Sequence, residues 1–376
     1  MGIELLTILF FVAMIILLAS GLQIVFVLGS VSIIFAYLVL GPNILGIVQT
    51  SMYKVMNMYA LIAVPLFVFM GAILERSGVA DDLYTMMHKW IGGLSGGLAM
   101  GTVVMCTVFA AMTGVSAAGV VTMGMITLPA MLKRGYDKKL SIGSIVAAGG
   151  LGQLIPPSTL MIVWALFANE SVGQMFIGGI IPGLILAGLY ILYIGVRCGL
   201  NPKLGPPTPH EDRASWKERL ESLRAVLLPL IIIVGVLGSI FAGIATPTEA
   251  AAVGALFSII SAAIYGRLTW STFVNALVNT LRITCMVAWI IVAGALFAST
   301  FAAIGGQELI MSTLGELGVN RWFIIIGMQV VYLILGCMME AGAIMMLTIP
   351  IFVPVVAALG FNTLSVSYTH LTLPTN

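Results

Sequence analysis

Two stretches of the 376-residue chain place hydroxyl side chains and helix-breaking residues inside runs that are otherwise apolar. The first, TGVSAAG, spans 113–119, and the second, GLGQLIPPST, spans 150–159. Proline removes a backbone hydrogen-bond donor, and an unsatisfied backbone group costs several kcal/mol in lipid. Bare carbonyls with Ser and Thr hydroxyls suit a hard cation such as Na⁺, and the amino end of a half-helix attracts a carboxylate.

Four hydroxyl-bearing residues of these stretches are candidates for one cation site: Thr113, Ser116, Ser158 and Thr159. If folding brings the stretches together, these hydroxyls and nearby carbonyls would offer about five or six oxygens to an ion. The alternative is a proline kink in which each hydroxyl bonds back to its own helix. Two adjacent prolines after Gly-Leu-Gly, facing a hairpin tip, favour the cation site.

Two acidic residues, Glu249 and Glu340, stand in apolar surroundings, which makes each a functional candidate. Glu340, in GCMMEAGAIMM, is predicted to have an ion-related role, and H⁺ coupling through its carboxyl is an alternative to Na⁺ coupling. Glu249 follows Thr246-Pro-Thr248, and a proline at the first helical position with an acid in the first turn predicts an ordinary N-terminal cap.

The composition is that of an integral membrane protein, since 60% of residues are hydrophobic and 8% are charged, against about 25% charged in soluble domains. Apolar segments that approach or cross a hydrocarbon core of ~30 Å lie near 4–20, 22–40, 57–75, 97–132, 140–168, 174–198, 224–243, 247–266, 284–304 and 322–360. The sequence contains no Walker loop, no Gly-x-Ser-x-Gly and no HExxH motif, so an enzyme is not expected.

An internal repeat organises the chain. Gly29, Pro129 and Gly135 recur as Gly254, Pro354 and Gly360, each 225 residues later, and 113–137 aligns with 338–362. Repeats in transporters are commonly related by an axis in the membrane plane, which requires an odd number of crossings in each. The sequence therefore predicts two inverted repeats, each with a re-entrant hairpin.

The placement of basic residues sets the orientation, because Lys and Arg concentrate in cytoplasmic loops. With a re-entrant hairpin at 97–132, a single interrupted crossing at 140–168 and a periplasmic N-terminus, 14 of the 16 basic residues are cytoplasmic. Only Lys54 and Arg321 are then outside. If 140–168 is made re-entrant instead, only 7 remain inside.

The predicted organisation has four parts. Residues 1–198 form the first repeat, with three helices, an amphipathic arm, the hairpin 97–132, the broken helix 140–168 and a helix at 174–198. Residues 199–223 form a cytoplasmic linker, residues 224–362 an incomplete second, inverted repeat, and residues 363–376 a non-native tail.

Several motifs resemble the large membrane subunit of tripartite ATP-independent periplasmic (TRAP) transporters: GLGQLIPPST, TPTEAAAVGA, LPAMLKRGYD and SVGQMFIGGIIPG. The resemblance implies an all-α polytopic membrane protein with an inverted-repeat ion-transporter fold, re-entrant hairpins, broken helices and elevator movement. It implies Na⁺ as the coupling ion, with no other cofactor, for uptake of a small organic acid such as a dicarboxylate. The implied partners are a small four-helix membrane subunit and a periplasmic solute-binding protein, at the bacterial inner membrane. An ion channel is an alternative function of a different class. Two inverted halves with hairpins disfavour a channel, because they are typical of transporters with alternating access.

The resemblance also places the ion and substrate sites at the hairpin tips and in the broken-helix loop. Carried over residue by residue, the set is Thr113, Gly114, Val115, Ser116, Gly150, Gly152, Pro156, Pro157 and Ser158, with Met339, Glu340 and Gly342 in the second hairpin. The resemblance and the hydroxyl oxygens of the two stretches together give four expected Na⁺ ligands: Thr113, Ser116, Ser158 and Glu340. Many family members have consecutive serines at the first tip and Asp where Glu340 stands, so this chain departs from them at both tips.

The C-terminal residues lack the apolar, helical pattern of the rest of the chain. After Asn362 the sequence becomes hydroxyl-rich with no helical period, and VSYTHLTLPT resembles a translated sequencing-adapter end. The repeat requires about 60 further residues, with a second broken helix and a last crossing. We therefore expect a truncated reading frame; the alternative is a natural short tail.

Overall fold

The computed structural model describes residues 2–114, 116–209, 213–316, 320–337 and 339–372, and every regular element within them is helical. Six of the helices in these ranges are long and apolar enough to cross a membrane, or eight if each of two bent pairs is one span. These findings confirm the predicted all-α polytopic membrane fold.

The chain forms eighteen α-helices within the described residues. In chain order they are α1 (Ile3–Ala19), α2 (Ile24–Leu40), α3 (Ile44–Met56), α4 (Ala63–Arg76), α5 (Val79–Ile91), α6 (Gly97–Thr113), α7 (Ser116–Lys133), α8 (Lys138–Gly149), α9 (Leu151–Leu154), α10 (Thr159–Ala168), α11 (Val172–Leu200), α12 (Trp216–Phe241), α13 (Pro247–Ile264), α14 (Trp270–Ala303), α15 (Gly306–Glu316), α16 (Arg321–Gly336), α17 (Ala341–Ala358) and α18 (Thr363–Thr372).

Two compact units contain these helices. One comprises Met1–Tyr59, Val163–Glu170 and Thr284–Asn376, and the other comprises Ala60–Ile162 and Ser171–Ile283. In the first unit, α1 is anchored by Phe10, whose ring lies 5.2 Å from Phe35 in α2 and 5.4 Å from Phe297 in α14. Buried aromatic pairs of this kind each contribute about 0.5–1.5 kcal/mol beyond the area they bury.

In the second unit, α4 packs against both α13 and the end of α6. Glycine permits the close approach: a Cβ added at Gly71 would lie 2.6 Å from the Thr113 Cα, and one added at Gly254 would lie 2.7 Å from the Met70 Sδ. Both distances are shorter than real side-chain contacts. The tip of the α6–α7 hairpin therefore rests directly on the backbone of α4.

The segment between α11 and α12 joins the two open ends of that hairpin. The Gly96 amide before α6 donates to the Gly205 carbonyl at 2.8 Å, and the Asp137 amide after α7 donates to the Leu204 carbonyl at 3.0 Å. Helix α11 continues to Leu200 and α12 begins at Trp216, so the non-helical part is shorter than the predicted linker 199–223.

Two stretches differ from what periodicity indicated. The apolar stripe of Trp270, Phe273, Leu277 and Leu281 predicts an amphipathic helix at 270–283 that lies along the interface or braces a moving part. In the structure this segment continues into the apolar segment 284–304 as one helix, α14, because neither Gly nor Pro interrupts the chain before Gly294. Residues 363–372, which lack a helical hydrophobic period, nevertheless form α18; the Asn362 side chain accepts from the Ser365 amide at 3.0 Å as an N-terminal cap.

The predicted cap at Glu249 is confirmed. The Glu249 carboxylate accepts from the Thr246 amide at 2.8 Å, and the Thr246 hydroxyl accepts from the Glu249 amide at 3.3 Å, which is a complete capping box. The acid at this position therefore caps the start of α13.

Removing the Arg267 side chain is expected to destabilise the second unit modestly. The guanidinium donates to the Ser77 carbonyl at 2.7 Å and to both Asp82 oxygens at 2.6 and 3.2 Å, and the Asp82 hydrogen bond raises the pKa of Arg267. Because the Arg267 side chain is 39% exposed, Arg267→Ala should lower the free energy of unfolding by about 1 kcal/mol.

A thermal melt of the purified protein measures this change. Arg282→Ala is the control, because the exposed Arg282 side chain on α14 makes no hydrogen bond or ion pair within the described part of the chain. Equal melting temperatures for the two variants would contradict the assigned role of Arg267.

Candidate functional site

The first hairpin turns at Gly114. Helix α6 ends at Thr113, the Gly114 amide donates to the Ala110 carbonyl at 2.9 Å, and α7 begins at Ser116. Gly114 has φ +62°, a left-handed conformation that L side chains rarely adopt. Val115, which the resemblance also places at the tip, lies outside the described residues.

The second stretch breaks the helical path between α9 and α10. Gly150 joins α8 to α9 in a helical conformation, and Gly152 is buried within α9. Pro156 and Pro157 have no amide hydrogen, so the carbonyls of Gly152 and Gln153 cannot receive the usual helical hydrogen bond from them. The break thus frees backbone acceptors at its amino-terminal side.

The hairpin tip and the break contact each other. The Thr159 hydroxyl lies 3.4 Å from the Gly114 carbonyl oxygen, and the Gln153 side-chain amide donates to the Ser116 hydroxyl at 3.0 Å. A Cβ added at Gly114 would overlap the Pro157 carbonyl oxygen. The two stretches that were selected from the sequence are therefore adjacent in the fold.

Two buried oxygens at this contact have no hydrogen-bond partner among the described residues. One is the hydroxyl of Ser158, a residue that is 0% exposed, and the other is Oε1 of Gln153. A buried polar atom without a partner costs about 1–3 kcal/mol, so such atoms are places where a bound water, an ion or a ligand can supply the missing partner.

The Thr113 hydroxyl bonds back to its own helix, as the proline-kink alternative predicts: it donates to the Phe109 carbonyl at 3.1 Å. A hydroxyl that donates keeps its lone pairs, so Thr113 and Thr159 can still present an oxygen to a cation. The contact thus contains several oxygens, and back-bonding fixes the orientation of one of them.

The two stretches that form the contact carry no formal charge, because residues 109–120 and 149–160 include no Asp, Glu, Lys, Arg or His. Neutral hydroxyl, amide and carbonyl oxygens fit a monovalent hard cation, whereas sites for Ca²⁺ and Mg²⁺ include carboxylates. The donor set at this contact therefore fits Na⁺.

Gln153 takes part in this contact and was not among the residues selected from the sequence. Its amide interrupts an apolar run, and this was the only signal available. The Gln153 side-chain nitrogen donates to the Ser116 hydroxyl at the hairpin tip, and the Gln153 side-chain oxygen is buried beside the break. An intramembrane amide next to a proline break could have been selected on the same grounds as the hydroxyls.

The second hairpin residues lie in the other unit. Glu340 occupies the N-terminal cap position of α17; its backbone carbonyl accepts the Ala343 and Ile344 amides at 3.1 Å, but its side chain makes no capping bond. Glu340 and Met339 line a cavity of about 320 Å³ beside the α1–α2 turn at Gly21. Gly342 is buried in the first turn of α17.

Comparison with known proteins agrees with this architecture. The family profile described as "Tripartite ATP-independent periplasmic transporter, DctM component" matches residues 11–372. The chain is 35% identical over 326 residues to the C4-dicarboxylate TRAP transporter large permease protein DctM of Pseudomonas aeruginosa, which covers 86% of this chain and 75% of that protein. It is 30% identical to the ectoine TRAP transporter large permease protein TeaC of Halomonas elongata, with 92% of this chain and 80% of that protein covered.

Among solved structures, the fold resembles the YdaH transporter of Alcanivorax borkumensis, whose crystal structure was described as having an unusual topology. The TM-score is 0.60 at 16% identity, covering 89% of this chain and 76% of that chain, so this likeness concerns the fold alone. Taken with the family match, these findings mean that the chain belongs to the DctM-component family of TRAP transporters, as a large permease subunit for solute transport and not an enzyme.

Proposed function

We propose that this subunit couples the uptake of a small organic acid to Na⁺ entry, with Na⁺ bound where the first hairpin tip meets the broken helix. The observation that carries the proposal is the Ser158 hydroxyl, which is fully buried and has no hydrogen-bond partner in the described residues. Thr113, Ser116, Gln153 and Thr159 belong to the two stretches that meet at this contact and offer further neutral oxygens, and the freed backbone carbonyls of the break add more acceptors.

Na⁺ entry can drive accumulation without ATP. Each net positive charge that moves inward releases about 2.3 kcal/mol per 100 mV of membrane potential. The substrate carboxylate is proposed to approach the amino ends of α7 and α10, where helix dipoles and unpaired amides favour negative charge. Binding of Na⁺ and of the acid at adjacent helix ends would couple the two.

The substrate class follows from the chemistry of the site and from the names of relatives. Relatives at similar identity are named for C4-dicarboxylate, ectoine and isethionate transport, so the permease sequence alone does not select one acid. We propose a dicarboxylate or a similar carboxylate, delivered by a periplasmic solute-binding protein. A small four-helix membrane subunit completes the proposed assembly in the inner membrane, with the N-terminus of this chain periplasmic and an elevator movement as the family implies.

Reconstitution tests this function. Proteoliposomes that contain the complete permease and its small membrane subunit should take up labelled acid only with an inward Na⁺ gradient and the matching binding protein. Uptake that continues with choline in place of Na⁺, or without any binding protein, would contradict the proposal.

Replacing Glu340 distinguishes Na⁺ coupling from the H⁺ alternative. Glu340→Gln removes the only acidic side chain near the second tip, between residues 317 and 376, while keeping its size. The proposed Na⁺ site at the first-hairpin contact does not include Glu340, although the sequence predicted this carboxylate as a ligand. With Na⁺ coupling at that contact alone, Na⁺-driven uptake by Glu340→Gln should change less than fivefold, a factor that corresponds to about 1 kcal/mol. Uptake should also keep its pH profile between pH 6 and 8, because no carboxyl carries a proton.

The measurement is initial uptake rate against external pH at constant Na⁺ gradient. Glu308→Gln, on the amphipathic α15 in the same unit, is the matched control because it also replaces one acid by an amide. A pH-dependent uptake that disappears in Glu340→Gln, but not in Glu308→Gln, would establish H⁺ coupling instead.

A further inference from the structure

A second cavity in the hairpin unit lies apart from the cation site. It has a volume of about 520 Å³ and lies between α8 and α11, with contributions from α6 and from the segment after α11. Two basic residues, Lys139 and Arg197, form part of its wall, and Tyr190 and Tyr193 line it on the α11 side. None of these residues belongs to the proposed transport site.

The cavity is polar at one end and apolar at the other. Lys139 is in the first turn of α8 and Arg197 is in the last turn of α11, so both cations mark the same end. Ala147 lies eight residues further along α8, which places it about 12 Å deeper at 1.5 Å per residue. The deeper walls are formed by small and apolar side chains, which include Gly143, Ala147 and Val103.

Neither cation forms an ion pair with a carboxylate in the described part of the chain. Within the part of the chain that the structure describes, neither lies within 4.0 Å of a carboxylate oxygen; the ion pair present there is Arg267–Asp82. Asp137 also lines the cavity, but its carboxylate accepts the Leu140 amide at 2.9 Å as the cap of α8. The polar end thus retains a net charge of +1.

The surroundings of the cavity are exposed and apolar. Ile142 and Val146, which flank the lining residues on α8, are 50% and 52% exposed, and Leu192 on α11 is 61% exposed. In a membrane protein such surfaces face lipid or a partner subunit, and where they face lipid, lipid molecules can reach the cavity from the side. Basic pockets between transmembrane helices, with aromatic side chains at the interface, suit lipid headgroups.

We propose that this cavity binds one anionic phospholipid, with its phosphate against Lys139 and Arg197 and an acyl chain along Gly143 and Ala147. The lipid comes from the leaflet at which both basic ends lie. A free phosphate ion would use only the cationic end, whereas the depth and apolar walls of the cavity match a headgroup that continues into a hydrocarbon chain. Bound there, the lipid would bridge α8, which leads into the broken helix, and α11.

Two kinds of variant separate the headgroup contact from the chain contact. The pair Lys139→Gln with Arg197→Gln removes both cations, and the pair Lys217→Gln with Arg224→Gln removes two cations elsewhere as its control. Gly143→Leu adds an uncharged side chain to the apolar part of the cavity wall. The substitution should be tolerated, because a Cβ at Gly143 would meet no heavy atom within 4 Å. Gly188→Leu, whose Cβ also meets nothing and which does not line the cavity, is the control for added bulk.

The measurement is phosphatidylglycerol binding to the delipidated full chain in detergent, by native mass spectrometry, with phosphatidylcholine and inorganic phosphate as competitors. Phosphatidylglycerol should bind in a 1:1 complex that neither competitor displaces. The double charge variant should weaken binding about twenty-five-fold, from about fivefold per basic residue. Gly143→Leu should weaken it at least tenfold, and both controls should bind as the unmodified chain does.

Several outcomes would overturn the proposal. Equal weakening in the charge control would show a diffuse electrostatic attraction, and displacement by inorganic phosphate with unchanged binding in Gly143→Leu would show a phosphate site. Loss of the lipid on addition of the small membrane subunit would assign the cavity to that subunit. Melting temperatures verify folding of each variant, and if Gly143→Leu is misfolded the charge pair and its control still decide the result. Because binding is measured without transport, failure here leaves the Na⁺-coupled function untouched.

Discussion

Gly114→Ala is expected to reduce solute uptake at least about a hundredfold while the protein still inserts and folds. Gly114 has φ +62°, and an L residue in that conformation costs about 1–2 kcal/mol. The added methyl group would also overlap the Pro157 carbonyl oxygen and lie 3.2 Å from the Ser158 Cα. The tip must then move away from the break, and a displacement of about 1 Å at a binding site can reduce a rate by 10².

Gly124→Ala is the matched control for this prediction. Gly124 lies on α7 in the same hairpin, has no positive φ, and a Cβ there would meet no atom within 4 Å. Uptake by the control should match that of the unmodified chain. If Gly114→Ala transports within twofold of the control, the contact between the tip and the break has no role in transport.

Ser158→Ala is expected to raise the Na⁺ concentration for half-maximal uptake by tenfold or more. The substitution removes one buried oxygen and nothing else, since Ser158 is 0% exposed and its hydroxyl has no partner among the described residues. If that oxygen coordinates Na⁺, its loss weakens ion binding. If it does not, removing an unsatisfied polar atom should stabilise the fold by about 1 kcal/mol or more and leave the Na⁺ dependence unchanged.

The measurement is uptake rate against Na⁺ concentration at saturating binding protein. Thr107→Ala is the control, because the Thr107 hydroxyl on α6 already donates to the Val103 carbonyl of its own helix at 2.8 Å. The control should keep the half-maximal Na⁺ concentration of the unmodified chain. An equal shift in both variants would mean that the effect is structural and would remove Ser158 from the ion site.

The tip and the break could be located from the sequence because Gly114, Pro156 and Pro157 have local backbone effects that do not depend on the rest of the fold. The hydrogen bond from Gln153 to Ser116 could not, because it depends on how the α6–α7 hairpin packs against α9. Back-bonding of Thr113 to Phe109 was one of two alternatives open to any helical hydroxyl, and only the packed structure separates them.

Boundaries at the ends of helices were less predictable. The mixture of polar and apolar side chains at 270–283 predicts an amphipathic helix there. Because no Gly or Pro interrupts 270–293, that helix continues as α14 to Ala303. The sequence predicts only a cytoplasmic linker around Gly205. The hydrogen bonds that this segment makes to the residues before α6 and after α7 join backbone atoms, so no side-chain pattern could have predicted them. The cap at Glu249 was predictable because a capping box is local in sequence.

The Na⁺ response of the purified chain tests the central claim most directly, because it needs no partner subunit, substrate or membrane potential. Melting temperatures are compared in NaCl and in choline chloride at equal ionic strength, for the unmodified chain and for Ser158→Ala. A ligand that binds only the folded state at 100 times its dissociation constant stabilises it by about 2.7 kcal/mol. We predict that Na⁺ raises the melting temperature of the unmodified chain and that Ser158→Ala loses most of this increase. An unmodified chain that melts at the same temperature in both salts would contradict Na⁺ binding where the hairpin tip meets the broken helix.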